Sequence, residues 1–269
     1  FQAEIDSACE LIDFWNFNCY YARQFHDMYQ PLVSPTGVKN STEIRPLEGF
    51  VLAITPFNFS SIAANLPSAP AILGNTAVWK PSRNSYHSNY VLMELMMEAG
   101  VPAGVINFVP SSGPDISEVC MSNPDLAGVH FTGSTAVFQG LWQNIGRSLP
   151  MLKSYPRIVG ETGGKDFVVA HPECDSQGLL VALLRGSFEY QGQKCSAASR
   201  AYIPQSVWTT ISDDLCAEIG KIKMGDARDF TNFMTAVIDQ RAFDKISGYI
   251  ERAQARDCCQ VIVGGGFDD

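Results

Sequence analysis

Short apolar runs alternate with helix-length segments along most of this chain, and several of the runs end in a polar turn. No other feature constrains the fold as much. Residues 50–54, 77–79, 105–109 and 126–131 read as buried-type strands. Between them lie helical stretches: one ending near Leu73, in which Pro67 and Pro70 imply a kink or a broken start, then 87–98 closed by Gly100, 116–121, and 136–145 after the fourth strand. Spacing of this kind implies right-handed crossovers and a parallel sheet, so the expected class is α/β. Ligands of such sheets bind at the carboxyl ends of the strands. The rhythm continues through strands at 158–159 and 167–169, a helix at 177–189, a strand at 201–203, helices at 206–220 and 240–256, and a strand at 260–263. Ahead of it, residues 4–29 read as a long helix with Ile5, Ala8, Cys9, Ile12, Trp15 and Cys19 as its core face and His26 at the surface. Residues 31–46, with Pro31, Pro35, Gly37 and Pro46, read as a connector or an excursion of extended chain. Topology places a domain boundary between 1–162 and 163–269.

Charge and cysteine spacing narrow the function. The net charge is −9 and the pI about 4.9, with no basic stripe, which argues against a nucleic-acid partner. No apolar run approaches the roughly 20 residues that cross a bilayer, so no membrane partner is expected. Eight cysteines are present, yet none forms a C-x-x-C pair and none has zinc-like spacing with a histidine, so no metal is expected. The size and α/β pattern favour a reducing compartment. No signal or transit peptide is visible. Both ends look cut, because Phe1 falls inside a helical pattern and Asp269 in a turn just after the last strand-like run.

The chemistry-bearing residues sit on turns. Ile54 is followed by Thr55-Pro56-Phe57-Asn58-Phe59, Trp79 by Lys80-Pro81-Ser82, and Phe131 by Thr132-Gly133-Ser134-Thr135. The last of these opens a helix, and reads either as a plain N-cap or as an anion site built from exposed N–H groups and the helix dipole. A G-x-G-x-x-G fingerprint is absent. Lys80 reads locally as a lysine escaping the sheet. Asn58 reads as an Asx-turn residue, or as an amide able to donate to a developing oxyanion. Glu161, in Glu161-Thr162-Gly163-Gly164-Lys165, reads as a turn carboxylate or a general base. Cys195, in Gly192-Gln193-Lys194-Cys195-Ser196, lies on a polar turn rather than an apolar face. The Lys194 charge beside it favours the thiolate, which is the nucleophilic form.

Taken in order, these turns and the segment Gly100-Val101-Pro102-Ala103-Gly104-Val105-Ile106-Asn107 resemble the aldehyde dehydrogenase superfamily. Leu47-Glu48-Gly49-Phe50-Val51, Phe188-Glu189-Tyr190, Ala236-Val237-Ile238-Asp239 and Phe138, where many relatives place glycine, point to a mitochondrial eukaryotic branch. That branch oxidises glutamate 5-semialdehyde, formed by opening of a pyrroline ring, to glutamate in proline breakdown. The resemblance implies a Rossmann-like NAD-binding domain (1–162, with 31–46 as an oligomerisation excursion) followed by a truncated α/β catalytic domain (163–269). It implies Cys195 as nucleophile, Glu161 as base, and Asn58 with the Cys195 N–H as oxyanion donors. Lys80, Thr55, Gly133, Ser134, Thr135, Ala136 and Val137 would hold NAD, and Phe59 and Ser196 would touch the aldehyde. Arg83, just after Lys80-Pro81-Ser82, leaves NADP open as cofactor. The resemblance further implies a mitochondrial matrix location, a homo-oligomeric full-length parent, and further segments beyond Asp269. Without those segments the 269-residue piece is expected to fold poorly or to be inactive. Another aldehyde dehydrogenase with a different substrate, and a non-catalytic NAD-binding relative, are the alternatives. A cysteine hydrolase lacks a partner, since His26, His87, His130 and His171 lie in no Cys/His motif.

Overall fold

The computed structural model describes residues 2–31 and 33–268. The side chain of His26 lies outside the described residues. Internal contacts divide the chain into two compact units, one comprising Ala3–Thr162 and the other starting at Gly163.

The chain opens with α1 (Gln2–Glu4), a π-helical turn (Ile5–Cys9) and α2 (Glu10–Met28). The π turn corrects the sequence expectation for this region. It takes up an extra residue, which rotates every side chain before it relative to those after it. Ile5, on the turn, is 49% exposed; Ile12, after it, is 58% exposed because the inward face of α2 is carried by Leu11 (4% exposed), Trp15 and Asn18. The helix is also fixed by polar bonds, from the Trp15 indole N–H to Ser68 Oγ (2.9 Å) and from the Asn18 amide to Asn65 Oδ1 (2.7 Å). Residues 33–46 carry no helix or strand.

Next come β1 (Phe50–Ile54), α3 (Ser60–Ile72), β2 (Thr76–Lys80), α4 (Tyr86–Glu98), β3 (Ile106–Phe108), α5 (Gly113–Met121), β4 (Leu126–Gly133), α6 (Thr135–Ser148) and β5 (Arg157–Thr162). The five strands form one sheet in the order β3-β2-β1-β4-β5, and every pairing is parallel. Two apolar layers cover it. Leu52, Val129 and Phe131 pack with Ile116, Cys120, Leu141 and Ile145 from α5 and α6. Trp79 and Ile106 pack with Leu11, Ala63, Ala64, Met93 and Met96 from α2, α3 and α4. Each large apolar side chain taken out of water this way contributes about 1.5–3 kcal/mol. That explains why the strands read as continuous apolar runs.

Helix α3 runs unbroken through Pro67 and Pro70, although both lack the N–H that an interior helical position donates. Pro70 therefore leaves the Leu66 carbonyl without its i+4 donor. Nδ1 of His130, on β4, lies 3.0 Å from that carbonyl oxygen. A neutral ring with its proton on Nδ1 supplies the missing bond, and burial lowers the His130 pKa below its ordinary value, which favours that form. A side chain from the sheet thus serves the carbonyl that Pro70 leaves without a donor.

The second unit contains β6 (Asp166–Val169), α7 (Ser176–Phe188), β7 (Ala198–Tyr202), α8 (Gln205–Gly220) and α9 (Gln240–Gln254). β6 and β7 pair in parallel. Leu179, Leu180 and Leu183 of α7 pack with Val207, Ile211 and Leu215 of α8, and Val168 lies against them. The strand expected at 260–263 does not form: Val261 and Ile262 are exposed, and no strand lies beside them among the described residues. An apolar run becomes a strand only where a neighbour takes its backbone hydrogen bonds. No helix among the described residues is long and apolar enough to cross a membrane, and none of their His, Cys, Asp and Glu side chains form a group able to hold a metal.

Candidate active site

In the first unit, strand register collects most of the expected ligand-binding residues at one edge. Ile54 pairs with Lys80 on one side and Phe131 on the other, while Thr132 and Gly133 pair with Glu161 and Thr162. The turns after β1 and β4, the last residue of β2 and the end of β5 therefore lie side by side at the carboxyl edge. The crossover order changes between β1 and β4, which is where open α/β sheets form their crevice.

Thr55 is buried, and its hydroxyl accepts from the Trp79 indole N–H at 3.0 Å, while its own N–H donates to the Lys80 carbonyl at 3.1 Å. It locks the β1 turn to the end of β2. Asn58 is half-buried in that turn, and Phe59 caps α3 with its ring 7% exposed. The half-buried Lys80 has a pKa lowered by loss of hydration, so its ammonium gains from any polar group that reaches it. Gly133 ends β4, and Ser134 is the N-cap of α6, its Oγ accepting from the Val137 N–H at 3.4 Å. The Phe138 N–H bonds the Ser134 carbonyl at 3.1 Å, leaving the N–H groups of Thr135 and Ala136 at the open end of an exposed helix.

Glu161 is exposed on the edge strand β5. Phe138 lies over the glycine just before it. A Cβ on Gly160 would sit 2.2 Å from the Phe138 ring, which also stacks on Phe131 with centroids 5.3 Å apart. The large residue at 138 and the bare backbone at 160 fit each other, and they set the path of β5 into Glu161.

Cys195 and Ser196 belong to the second unit. The Ala197 N–H bonds the Lys194 carbonyl at 3.2 Å, so the two residues occupy the centre of a tight turn, Cys195 half-buried and Ser196 exposed. Just before it, Tyr190 (φ 57°), Gln191 (φ 58°) and Gly192 (φ 64°) all take the left-handed conformation. For glycine this is free; for each of the other two it costs roughly 1–2 kcal/mol. Their surroundings must hold them there. Gln193 Oε1 accepts from the Ile238 N–H at 3.0 Å, and in either orientation of its amide Gln191 bonds the Thr235 hydroxyl at 3.1 Å. The Gln193 amide nitrogen lies 2.9 Å from the Gln191 side chain and 3.4 Å from the Tyr190 carbonyl. On the opposite side, Gly164 comes so near the turn that a Cβ there would lie 2.0 Å from the Cys195 carbonyl oxygen.

The Lys194 ammonium is bonded to Glu189 at 3.1 Å, and Glu189 is bonded in turn to the Arg185 guanidinium. Burial pushes the Glu189 carboxyl up, but the hydrogen bonds from Arg185 and Lys194 outweigh it and leave the pKa below the ordinary value. Lys194 thus faces an ionised carboxylate across that bond. The residues that build the turn (Gly164, Glu189, Gln191, Gln193, Thr235 and Ile238) were not readable as a group. The one sequence signal was the pair of glutamines spaced either side of Gly192.

The sequence matches the aldehyde dehydrogenase family over residues 2–269. It is 48% identical to the mitochondrial delta-1-pyrroline-5-carboxylate dehydrogenase of Dictyostelium discoideum, across 99% of this chain and 48% of that protein. The corresponding Homo sapiens protein is 44% identical across 100% of this chain and 47% of its own length. The chain thus spans about half the length of the curated relatives it matches. Among solved structures, the delta-pyrroline-5-carboxylate dehydrogenase of Mycobacterium tuberculosis bound with NAD superimposes with a TM-score of 0.96 at 54% identity, covering 100% of this chain and 50% of that one. The NAD-bound 1-pyrroline-5-carboxylate dehydrogenase from Thermus gives a TM-score of 0.89 at 27% identity, covering 97% of this chain and 50% of that one.

Proposed function

The chain belongs to the aldehyde dehydrogenase family, and on that premise we propose that the full-length protein oxidises L-glutamate 5-semialdehyde to glutamate with NAD. One observation carries the reading: from end to end the chain is similar to proteins named as pyrroline-5-carboxylate dehydrogenases, at levels well above those needed to fix the fold alone. The names of several relatives support a mitochondrial location. A homo-oligomeric parent remains part of the same proposal.

The carboxyl edge of the first sheet suits a dinucleotide. A poorly hydrated ammonium at Lys80 matches ribose hydroxyls, and the open N-terminus of α6 after Gly133 and Ser134 matches phosphate oxygens. Thr135, Ala136 and Val137 would contribute the first turn. Thr55 would line the site chiefly through its main chain, its hydroxyl oxygen being engaged by Trp79. When bound, NAD supplies the two-electron acceptor that the oxidation of an aldehyde requires.

The protein groups then have these roles. The Cys195 thiolate attacks the aldehyde carbon; a C–S bond forms and the carbonyl π electrons move to oxygen. The Asn58 amide and the Cys195 N–H donate to that oxyanion. After oxidation the carbon is held as a thioester. Glu161 takes a proton from water, the resulting hydroxide adds to the thioester carbon, the C–S bond breaks, and the thiolate and a carboxylic acid are released, the acid giving its proton to solvent to become the carboxylate. Phe59 and Ser196 would contact the aldehyde. The test is Cys195→Ala in the full-length protein, together with kcat/KM for glutamate semialdehyde against simple aliphatic aldehydes. Loss of oxidation with NAD binding retained, and a clear preference for the semialdehyde, are expected. Unchanged turnover sinks the mechanism, and equal kcat/KM values sink the substrate assignment.

A further inference from the structure

We propose that Gln193, supported by Gln191 and Thr235, is a positioning residue for the Cys195 nucleophile. The proposal rests on the oxidation assigned above for its kinetic arm, but not for its chemical-labelling arm.

Three observations meet at this residue. Two consecutive non-glycine residues, Tyr190 and Gln191, are held left-handed immediately ahead of the cysteine turn, a conformation that persists only where the surroundings enforce it. Residues 235–238 contribute to that enforcement through side chains: Gln193 Oε1 accepts from the Ile238 N–H (3.0 Å) and the Gln191 amide bonds the Thr235 hydroxyl (3.1 Å). Gln193 also closes the turn on itself, since its own N–H donates to the Tyr190 carbonyl at 3.1 Å while its amide nitrogen reaches Gln191 at 2.9 Å. It thereby spans the strained residues, the anchoring segment and, two positions on, the nucleophile. From the other direction, the Lys194–Glu189–Arg185 chain of ion pairs fixes the residue next to Cys195 to the end of α7.

Gln193 has no assigned contact with substrate or cofactor, so its removal should act on where the thiol sits. A group displaced by about 1 Å commonly loses on the order of a hundredfold in rate. Gln193→Met keeps the volume and deletes the side-chain bonds to Ile238, Gln191 and Tyr190. Gln193→Glu keeps an oxygen for the Ile238 N–H and deletes the donor. Thr235→Val removes the far end of the clamp.

The experiment follows the rate at which iodoacetamide alkylates Cys195 in the full-length protein, read on the Cys195 peptide by mass spectrometry across a pH series. kcat and KM for glutamate semialdehyde, NADH binding and the melting temperature are measured alongside. For Gln193→Met we expect kcat to fall by about ten- to a hundredfold and the pH profile of Cys195 alkylation to depart from wild type, with KM and NADH binding within twofold. Gln193→Glu should recover most of the loss, and Thr235→Val should show a smaller loss of the same kind. If Gln193→Met lowers the melting temperature but the folded protein is alkylated and turns over at the wild-type rate, the residue is merely structural and the proposal is wrong. If Gln193→Met does not fold, Thr235→Val decides: wild-type alkylation there overturns the clamp. Absence of aldehyde oxidation in the wild-type protein would overturn the proposed function, while the alkylation rates would still test the positioning.

Discussion

Adding one methyl group at Gly164 should disable the cysteine turn, whereas the same change at Gly163 should do nothing. A Cβ on Gly164 would lie 2.0 Å from the Cys195 carbonyl oxygen, 3.1 Å from its carbonyl carbon and 2.8 Å from Asp166 Oδ1. Ordinary van der Waals contact begins near 3.4 Å, so the two chains must separate by about 1.4 Å. The obstacle is backbone and cannot rotate aside as a side chain could. Cys195 itself must move, within a turn already fixed by the Lys194–Ala197 hydrogen bond and the left-handed residues before it. A displacement of this size puts the loss near a hundredfold or beyond; a hundredfold is about 2.7 kcal/mol of barrier at 1.36 kcal/mol per factor of ten. The overpacking should also destabilise the fold by about 1–3 kcal/mol. At Gly163 a Cβ meets nothing within 4 Å. Kinetics of aldehyde oxidation, Cys195 alkylation rates and thermal melts on Gly164→Ala and Gly163→Ala, both in the full-length protein, provide the comparison. Should Gly164→Ala alkylate and turn over within twofold of wild type at an unchanged melting temperature, the close approach that defines this turn does not exist.

Other substitutions test the first unit. His130→Leu leaves the Leu66 carbonyl without a donor inside the fold, which should cost about 1–3 kcal/mol. The His130 pKa is lowered in the folded state, so its stabilisation is complete above the ordinary value of 6.5 and is lost as pH falls through the folded value. The difference in unfolding free energy between wild type and variant should therefore be largest near about pH 8 and narrow toward about pH 5; a difference constant with pH refutes the buried neutral ring. Lys80→Met should weaken NADH binding by roughly ten- to a hundredfold, the worth of charge-assisted hydrogen bonds, and leave thermal stability equal or higher because a poorly hydrated charge is removed. Unchanged NADH affinity, read by fluorescence titration, would take Lys80 out of the cofactor site.

The central strands β1, β2 and β4 were legible because most of their residues are buried, so their apolar runs are nearly continuous, and each ends at a turn that sequence marks with proline, glycine or serine. The expected boundaries fall within a few residues of β1, β2 and β4. Legibility failed where one residue's state depends on a distant partner. The inward face of α2 was missed because it runs through Leu11, Trp15 and the polar Asn18, which bonds Asn65, and the residues before Glu10 are offset by a π turn that no local propensity announces. Residues 260–263 have the composition of a strand and no neighbour to make them one. The Lys194–Glu189 ion pair could not be read because Glu189, five positions earlier, comes back to Lys194 only through a left-handed turn, and neither Tyr190 nor Gln191 advertises that conformation. That the Thr55 hydroxyl accepts from the Trp79 indole was likewise invisible, because the two residues meet only through strand pairing.

The contact between His130 and the Leu66 carbonyl also limits the order in which this sequence can change. Pro70 creates the need that His130 meets. A lineage that first exchanges Pro70 for a residue with an N–H restores the helical bond, and position 130 becomes open to aliphatic residues. The reverse order passes through a form with a stranded buried carbonyl. Descendants lacking the histidine should therefore have lost the proline earlier, and the two positions should drift as a pair although they lie on different elements.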